Sequence, residues 1–111
     1  MPRSRGLTEI DQLTLLAIAR IGEGAYGVTI RREIDGHGRR SISLASVYEA
    51  LDRLERRGYT IHHLSPPTPE RGGRAKKLFR ITATGRDAVL ESREVMDRMW
   101  DGLKLAAGRG S

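Results

Sequence analysis

Residues 43–58, SLASVYEALDRLERRG, have the pattern of a single helix with both of its ends marked. Ser43 suits the N-cap, where its hydroxyl can accept a hydrogen bond from a backbone N–H one turn on, and Gly58 suits the left-handed position just past a C-terminus. Apolar side chains recur between them at helical spacing, at Leu44, Val47, Leu51 and Leu54. This stripe predicts that the helix packs on a core that the rest of the chain must supply.

The opposite face of this helix is small and polar at its start and cationic further along. Its members are Ala45, Ser46, Glu49, Arg53 and Arg56. Small side chains let a base edge come close and cations suit phosphates, so the face is typical of a helix that reads DNA. An ordinary solvated face is the alternative, since surface helices also carry such residues.

The first predicted helix covers about 9–21, with Thr8 as its N-cap and carboxylates in its first turn, where they suit the helix dipole. Its interior, LTLLAIARI, is apolar on nearly every side. Such a helix is normally buried on more than one side, so we expect it to contact a second subunit as well as its own core.

A second predicted helix covers about 26–34, and Gly36 and Gly38 are predicted to break it. Arg39 and Arg40 then add positive charge just before the capped helix. Two helices joined by a short polar connection, the second of them small-faced at its start, have the arrangement of a helix-turn-helix.

After Gly58 the pattern becomes that of strands, with YTIHHL at 59–64 and KLFRIT at 77–82. The stretch between them, SPPTPERGGRAK, must form a loop because prolines and adjacent glycines cannot continue a ladder. Residues 71–80 contain no acidic side chain and five basic ones: Arg71, Arg74, Lys76, Lys77 and Arg80. The pattern predicts a β-hairpin with a cationic tip, a β-wing that can lie along a DNA backbone or enter the minor groove.

The last predicted helix begins after Thr82 and extends past Trp100, beyond the point where a small core ends. Its apolar side chains repeat at seven residues, which favours packing on a second copy of the chain together with the first helix. The predicted interface consists of Leu13, Ala17, Val89, Met96, Met99, Trp100 and Leu103. Trp100 has two interpretations: an apolar anchor for this dimer, or the lining of a pocket in which a planar aromatic effector stacks.

Composition limits the classes of function. The length of 111 residues fits one domain, and the net charge of +6 favours an anionic partner. The absence of cysteine excludes disulfides, thiolate metal sites and cysteine catalysis. No apolar run resembles a signal peptide or a membrane span, so we expect a cytoplasmic protein with no membrane partner.

The sequence has no pattern typical of catalysis or of metal binding. Neighbouring His62 and His63 point to opposite faces of a predicted strand, and no carboxylate pattern completes a site with them or with His37, so no metal site and no cofactor are predicted. The chain contains no GxSxG elbow, phosphate-binding glycine loop or HExxH helix. An enzyme is therefore the least supported class, and no catalytic residue is predicted.

The predicted fold class is α+β, mainly α: a winged helix-turn-helix with a C-terminal dimerisation helix. Its predicted organisation is a disordered tail at 1–7, the winged helix-turn-helix at 8–82, the dimerisation helix at 83–105 and a second disordered tail at 106–111.

Three blocks of this sequence resemble the PadR family of transcriptional regulators. They are Tyr26–Gly27 followed by a basic helix, SVYEALDRLERRGY at 46–59, and GGRAKKLFRITATGR at 72–86. In this order they cover most of the chain from Leu7 onward. The resemblance implies a dimer that binds a pseudo-palindromic operator, usually represses transcription and is sometimes released by a small molecule.

The resemblance also implies roles for single residues. Ser46, Tyr48 and Arg53 would lie at the operator, with Tyr48 in the place of a phosphate-contacting tyrosine. Arg74, Lys76 and Lys77 match the basic wing of the family. Phe79 stands where the family usually has a second tyrosine, so a hydroxyl is absent there.

From the residues and the resemblance together we expect a sequence-specific DNA-binding regulator, a homodimeric repressor. The predicted DNA-contacting residues are Tyr26, Arg39, Arg40, Ser43, Ala45, Ser46, Tyr48, Glu49, Arg53, Arg71, Arg74, Lys76 and Lys77. The alternative is a winged-helix interaction module that binds a protein or a small ligand without DNA. Basic residues on both the helix and the wing argue against it, because such a module need not keep both.

Overall fold

The computed structural model describes residues 6–38, 41–66 and 75–106. Four helices and one two-stranded antiparallel sheet follow one another along the chain. They are α1 (Glu9–Ile21), α2 (Gly27–His37), α3 (Leu44–Arg56), β1 (Thr60–Leu64), β2 (Lys77–Ile81) and α4 (Ala83–Trp100). This is the predicted mainly helical winged helix-turn-helix, with α2 and α3 as the two helices of the motif and β1–β2 as the wing.

The helix caps lie where the sequence predicts them. Thr8 and Asp11 form a capping box at the start of α1: the Thr8 hydroxyl accepts from the Asp11 N–H at 3.1 Å, and an Asp11 carboxylate oxygen accepts from the Thr8 N–H at 3.4 Å. Ser43 caps α3 by accepting from the Ser46 N–H at 3.0 Å. Gly58, just past α3, has a φ of +80°.

The predicted break of the second helix is wrong, because α2 continues through Gly36 to His37. The Gly38 N–H donates to the Ile34 carbonyl at 2.7 Å, so the helical hydrogen bonds extend one turn past the expected end. An ion pair between Arg31 and Asp35 also spans this turn. These contacts outweigh the low helix propensity of glycine.

The last helix is shorter than predicted and ends at Trp100. Gly102 has a φ of +76°, and the Leu103 N–H donates to the Trp100 carbonyl in a tight turn. Leu103 therefore lies outside the helix, and the predicted seven-residue repeat does not extend to it.

The core consists of two adjoining clusters of apolar side chains. One is built from α1, α2, α3 and β2, and the other joins α1, α3 and α4. Val47, Leu51 and Leu54 of the predicted stripe are buried, which confirms the inward face of α3. Leu7 is buried in the second cluster, so the predicted disordered tail at 1–7 is wrong at that residue.

Two residues predicted at the subunit interface belong to this core instead. Ala17 packs in the first cluster and Val89 in the second, and both are buried within their own chain. They are inaccessible to a partner because α1 and α4 turn these side chains inward.

The wing is held against the helices at its base. Thr60 pairs with Ile81 and Leu64 with Lys77, so the two strands match residue for residue. The Phe79 N–H donates to the Ala25 carbonyl at 2.8 Å, which ties β2 to the connection between α1 and α2. Gly85 lets α4 start beside this base, since a Cβ there would lie 2.2 Å from the Tyr59 carbonyl oxygen. The position of the wing relative to α3 is thus fixed by backbone contacts.

Candidate nucleic-acid interface

The outward face of α3 is formed by residues that follow helical spacing opposite the buried stripe. Ala45, Glu49, Asp52 and Arg56 are all exposed along it. The first turn is small-sided, since Ala45 is followed by Ser46, whose hydroxyl accepts from the Ser43 hydroxyl at 3.0 Å. A helix can approach a base edge closely only where its side chains are short, so the start of α3 is the part able to enter a groove.

Tyr48 lies at the edge of this face, on the side of the wing, and is 51% exposed. Its ring lies against the start of α2, where a Cβ on Gly27 would come within 2.5 Å of a ring carbon and 2.8 Å of the hydroxyl. The side chain therefore packs on Gly27 while about half of the residue stays exposed. The contact between Gly27 and Tyr48 joins two of the sequence blocks that carry the family resemblance, residues 26–27 and 46–59.

The base of the wing contacts Tyr26, which lies near Tyr48, through Lys76. The Lys76 Nζ lies 5.1 Å from the centroid of the Tyr26 ring, a cation–π distance. Lys77 is exposed at the start of β2, and Arg80 is exposed further along the strand. Lys76 and Lys77 thus lie beside the two tyrosines, whereas Arg80 lies with Gly22 and Glu23.

A groove of about 630 Å³ separates the wing from α3. Lys76 and Lys77 line its wing side, and three carboxylates line its α3 side. Two of these carboxylates are paired: Asp52 with Arg56 at 3.3 Å, and Glu55 with the His62 Nδ1 at 2.8 Å. Glu49 has no ion-pair partner among the described residues, so it is available to accept a hydrogen bond, as cytosine readout requires.

Arg53 does not share the outward face on which the sequence placed it. It lies seven residues after Ser46, on a half-buried flank of α3 directed at α1. Its Nη2 donates to a carboxylate oxygen of Asp11 at 2.7 Å. Sequence reasoning missed this pair because the two residues are 42 positions apart and no local pattern connects them.

Four of the predicted DNA-contacting residues lie outside the described residues: Arg39, Arg40, Arg71 and Arg74. Five others line the groove between α3 and the wing: Tyr26, Tyr48, Glu49, Lys76 and Lys77. Ser43, Ala45 and Ser46 lie at the start of α3.

The described residues lack both a metal-ligand cluster and a helix that could span a membrane. No group of three or more potential metal ligands occurs in residues 6–38, 41–66 and 75–106. In the same part of the chain, none of the helices combines the length and the apolar character needed to cross a bilayer.

A second surface, the apolar surface of α4, is formed by exposed side chains along that helix and just after it. Met99 is 70% exposed and Trp100 is 55% exposed. Its members are Leu90, Val95, Met96, Met99, Trp100, Leu103 and Leu105. Leu13, the other predicted interface residue, packs partly against the first core cluster, while Leu16 of α1 is exposed. The sequence pattern misses Leu90 and Val95 because its seven-residue frame starts at Val89, which faces inward.

Known proteins share both the sequence pattern and the fold of this chain. The sequence profile of the transcriptional regulator PadR-like family matches residues 15–91. The chain belongs to the PadR-like family. Members of this family are DNA-binding transcriptional regulators and not enzymes, which confirms the resemblance inferred from the sequence. No curated protein matches this chain.

Solved structures share the winged-helix fold of this PadR-like chain. One is a transcriptional regulator from Clostridium thermocellum, with a TM-score of 0.66 and 23% identity over 81% of this chain and 82% of that one. Another is a PadR family transcription regulator from Clostridium difficile, with a TM-score of 0.64 and 22% identity over 84% and 88%. A third is Bordetella bronchiseptica BpsR, whose DNA binding is regulated by 6-hydroxynicotinic acid, with a TM-score of 0.62 and 23% identity over 94% and 72%.

Proposed function

We propose that this PadR-like regulator is a homodimeric repressor that inserts the start of α3 into the major groove of a pseudo-palindromic operator. The observation that carries the proposal is the juxtaposition of a small-sided, exposed helix start with a cationic wing. Ala45 and Glu49 are exposed on α3, and Lys76 and Lys77 are exposed across the groove. Base readout needs the first of these surfaces and phosphate binding needs the second.

The two surfaces have different expected effects on binding. Each wing lysine that contacts a phosphate releases counterions, so its removal weakens binding to every sequence and flattens the dependence of affinity on salt by about 0.9 in logarithmic slope per contact. A residue that reads a base changes which sequence is preferred and leaves that slope in place.

Fluorescence anisotropy with the DNA upstream of the gene, over a range of salt concentrations, tests this proposal. We expect Lys77→Ala to lower affinity for specific and random DNA alike. We expect Glu49→Ala to change the preferred sequence with the salt slope of the wild type. If the wild type binds no DNA in low salt, the proposed function is wrong and the interaction module becomes the better hypothesis.

Dimerisation is part of the same proposal and is supported by the apolar surface of α4. Contiguous exposed apolar side chains on a helix are typical of a protein–protein interface. Two chains joined there by a two-fold axis would present two α3 helices, as a palindromic site with half-sites about one helical turn apart requires.

A small-molecule effector is the last part of the proposal. Trp100 is half-exposed next to Met96 and Met99, a lining suited to a flat aromatic ring. The relative BpsR, whose ligand is a planar aromatic acid, gives a precedent for regulation of this kind within the fold. Titration of a panel of planar aromatic compounds, monitored by the fluorescence of this single tryptophan, tests it, and the absence of quenching across the panel would contradict it.

A further inference from the structure

The ion pair between Asp11 and Arg53 joins two helices with different tasks. Asp11 is 2% exposed, and a buried carboxylate is costly unless it is paired and hydrogen-bonded. One oxygen accepts from the Thr8 N–H within the capping box of α1, and the other accepts from the Arg53 Nη2. The carboxylate is therefore held by α1 on one side and by α3 on the other.

The geometry places Arg53 in the packing between helices instead of on the DNA-facing surface. Its side chain is 38% exposed and lies on the flank of α3 that faces α1. Arg56, close by on the outward face, is 67% exposed and pairs with the exposed Asp52 of its own helix. An arginine that is already bonded to a buried carboxylate would have to break that bond to reach a phosphate, and this would leave the carboxylate unpaired.

The helix that carries Asp11, α1, packs on both α3 and α4. Of these two helices, α4 carries most of the predicted subunit interface. Apolar packing alone lets one helix slide or rotate slightly on another, whereas a charge-assisted hydrogen bond has a defined direction and length. The pair thus joins α3 to the helix that packs between it and α4.

We propose that Asp11 and Arg53 are positioning residues that set the orientation of α3 for operator recognition, and that Arg53 makes no phosphate contact. This inference rests on the proposed function, since it concerns how α3 enters the groove. Loss of the pair should cost operator binding about tenfold or more, the equivalent of one good base contact, because α3 no longer aligns with the base edges. Binding to random DNA should change little, because the wing still contacts the backbone.

The test compares four proteins: the wild type, Asp11→Asn, Arg53→Ala and the double variant. Asp11→Asn keeps a side-chain oxygen for the capping box and removes the charge, so it should fold even if Arg53→Ala does not. Arg20→Ala is the matched control, since it removes the same charge from a helix surface and its ion pair, with Glu33, involves neither α3 nor the wing. Circular dichroism establishes folding, and binding to a selected operator and to random DNA is measured below the lowest melting temperature over a range of salt concentrations.

We expect each single variant to lose operator affinity, the double variant to lose no more than either, and the salt slope to equal that of the wild type. A direct phosphate contact by Arg53 predicts the opposite. Arg53→Ala would then lower the salt slope by about 0.9 and weaken binding to all DNA, while Asp11→Asn would bind at least as well as the wild type. That second result overturns the inference, whereas failure of the wild type to bind any DNA overturns the proposed function.

Discussion

Gly27 shows how one missing Cβ can shape a binding surface. The ring of Tyr48 occupies the space that a side chain at this position would need. The backbone of Gly27 is ordinary helix, so conformational freedom is not the reason for the glycine there. Its role is steric: it lets the aromatic ring of Tyr48, from α3, lie on the start of α2.

We expect Gly27→Ala to displace the Tyr48 ring and weaken operator binding. The new Cβ would lie 2.5 Å from a ring carbon, so the ring must move, and forcing it off its rotamer costs about 0.5–1.5 kcal/mol. Anisotropy with operator DNA measures the loss, and thermal melting measures stability.

Gly36→Ala is the matched control, because it lies in the same helix and a Cβ added there would have nothing within 4 Å of it. It should leave DNA binding unchanged and stabilise the fold by about 0.4–1 kcal/mol. Equal binding by Gly27→Ala and the wild type would show that the Tyr48 ring does not contribute to the interface.

At the scale of the secondary-structure elements, α3 could be predicted almost completely because its determinants are local. The Ser43 cap, the apolar stripe and Gly58 all lie within sixteen residues of sequence, and each has the predicted role. Local pattern fails where distant residues decide. Nothing near Arg53 in sequence indicates Asp11, and only the packing of α4 on α1 and α3 shows that Val89 faces inward while Leu90 faces out.

The boundaries of α2 and α4 are harder to predict for a related reason. Glycine was expected to end the second helix at Gly36, but α2 continues to His37, with Gly38 as its C-cap, whereas the turn after α4 contains Gly102 with a φ of +76°. Gly36 lies inside α2, since the Gly38 N–H donates to the Ile34 carbonyl and closes the last turn. Composition alone does not distinguish these two uses of glycine.

The N-cap of α3 supports the turn that is proposed to read bases. We expect Ser43→Ala to cost about 1 kcal/mol of unfolding free energy, the usual value of a lost serine cap, and to fray the turn that carries Ala45 and Ser46. Chemical denaturation measures the stability. Operator binding should fall more than binding to random DNA, because the frayed turn is the one proposed to face the bases. Ser41→Ala, in the exposed connection just before the helix, is the control; an equal effect from it would show that the cap has no special part in recognition.

At the scale of the whole molecule, the second half of α4 is the part that the proposed dimer would cover. Every residue from Arg93 to Trp100 is exposed in the single chain, so no part of the described chain covers the second half of this helix. Apolar side chains among them have no reason to face water in a regulator that works alone. The same helix begins beside Gly85, whose close contact with Tyr59 fixes its direction relative to the wing. A second copy bound to α4 would therefore hold two reading helices at one defined separation.

We expect Met99→Glu to convert a dimer into a folded monomer, because a charge buried in an apolar interface is costly, whereas Met99 is absent from both core clusters of its own chain. Sedimentation equilibrium should give the mass of a dimer for the wild type and of a monomer for the variant at the same concentration. Trp100, the only tryptophan, provides a second measurement, since its emission should lie further to the red in the monomer. Thr84→Glu, at an exposed position in the first turn of the same helix, is the control for one added negative charge. The monomer should bind the operator far more weakly, with the affinity expected for a single half-site. A wild type that is monomeric at all concentrations and still binds a palindrome tightly would contradict this role of α4.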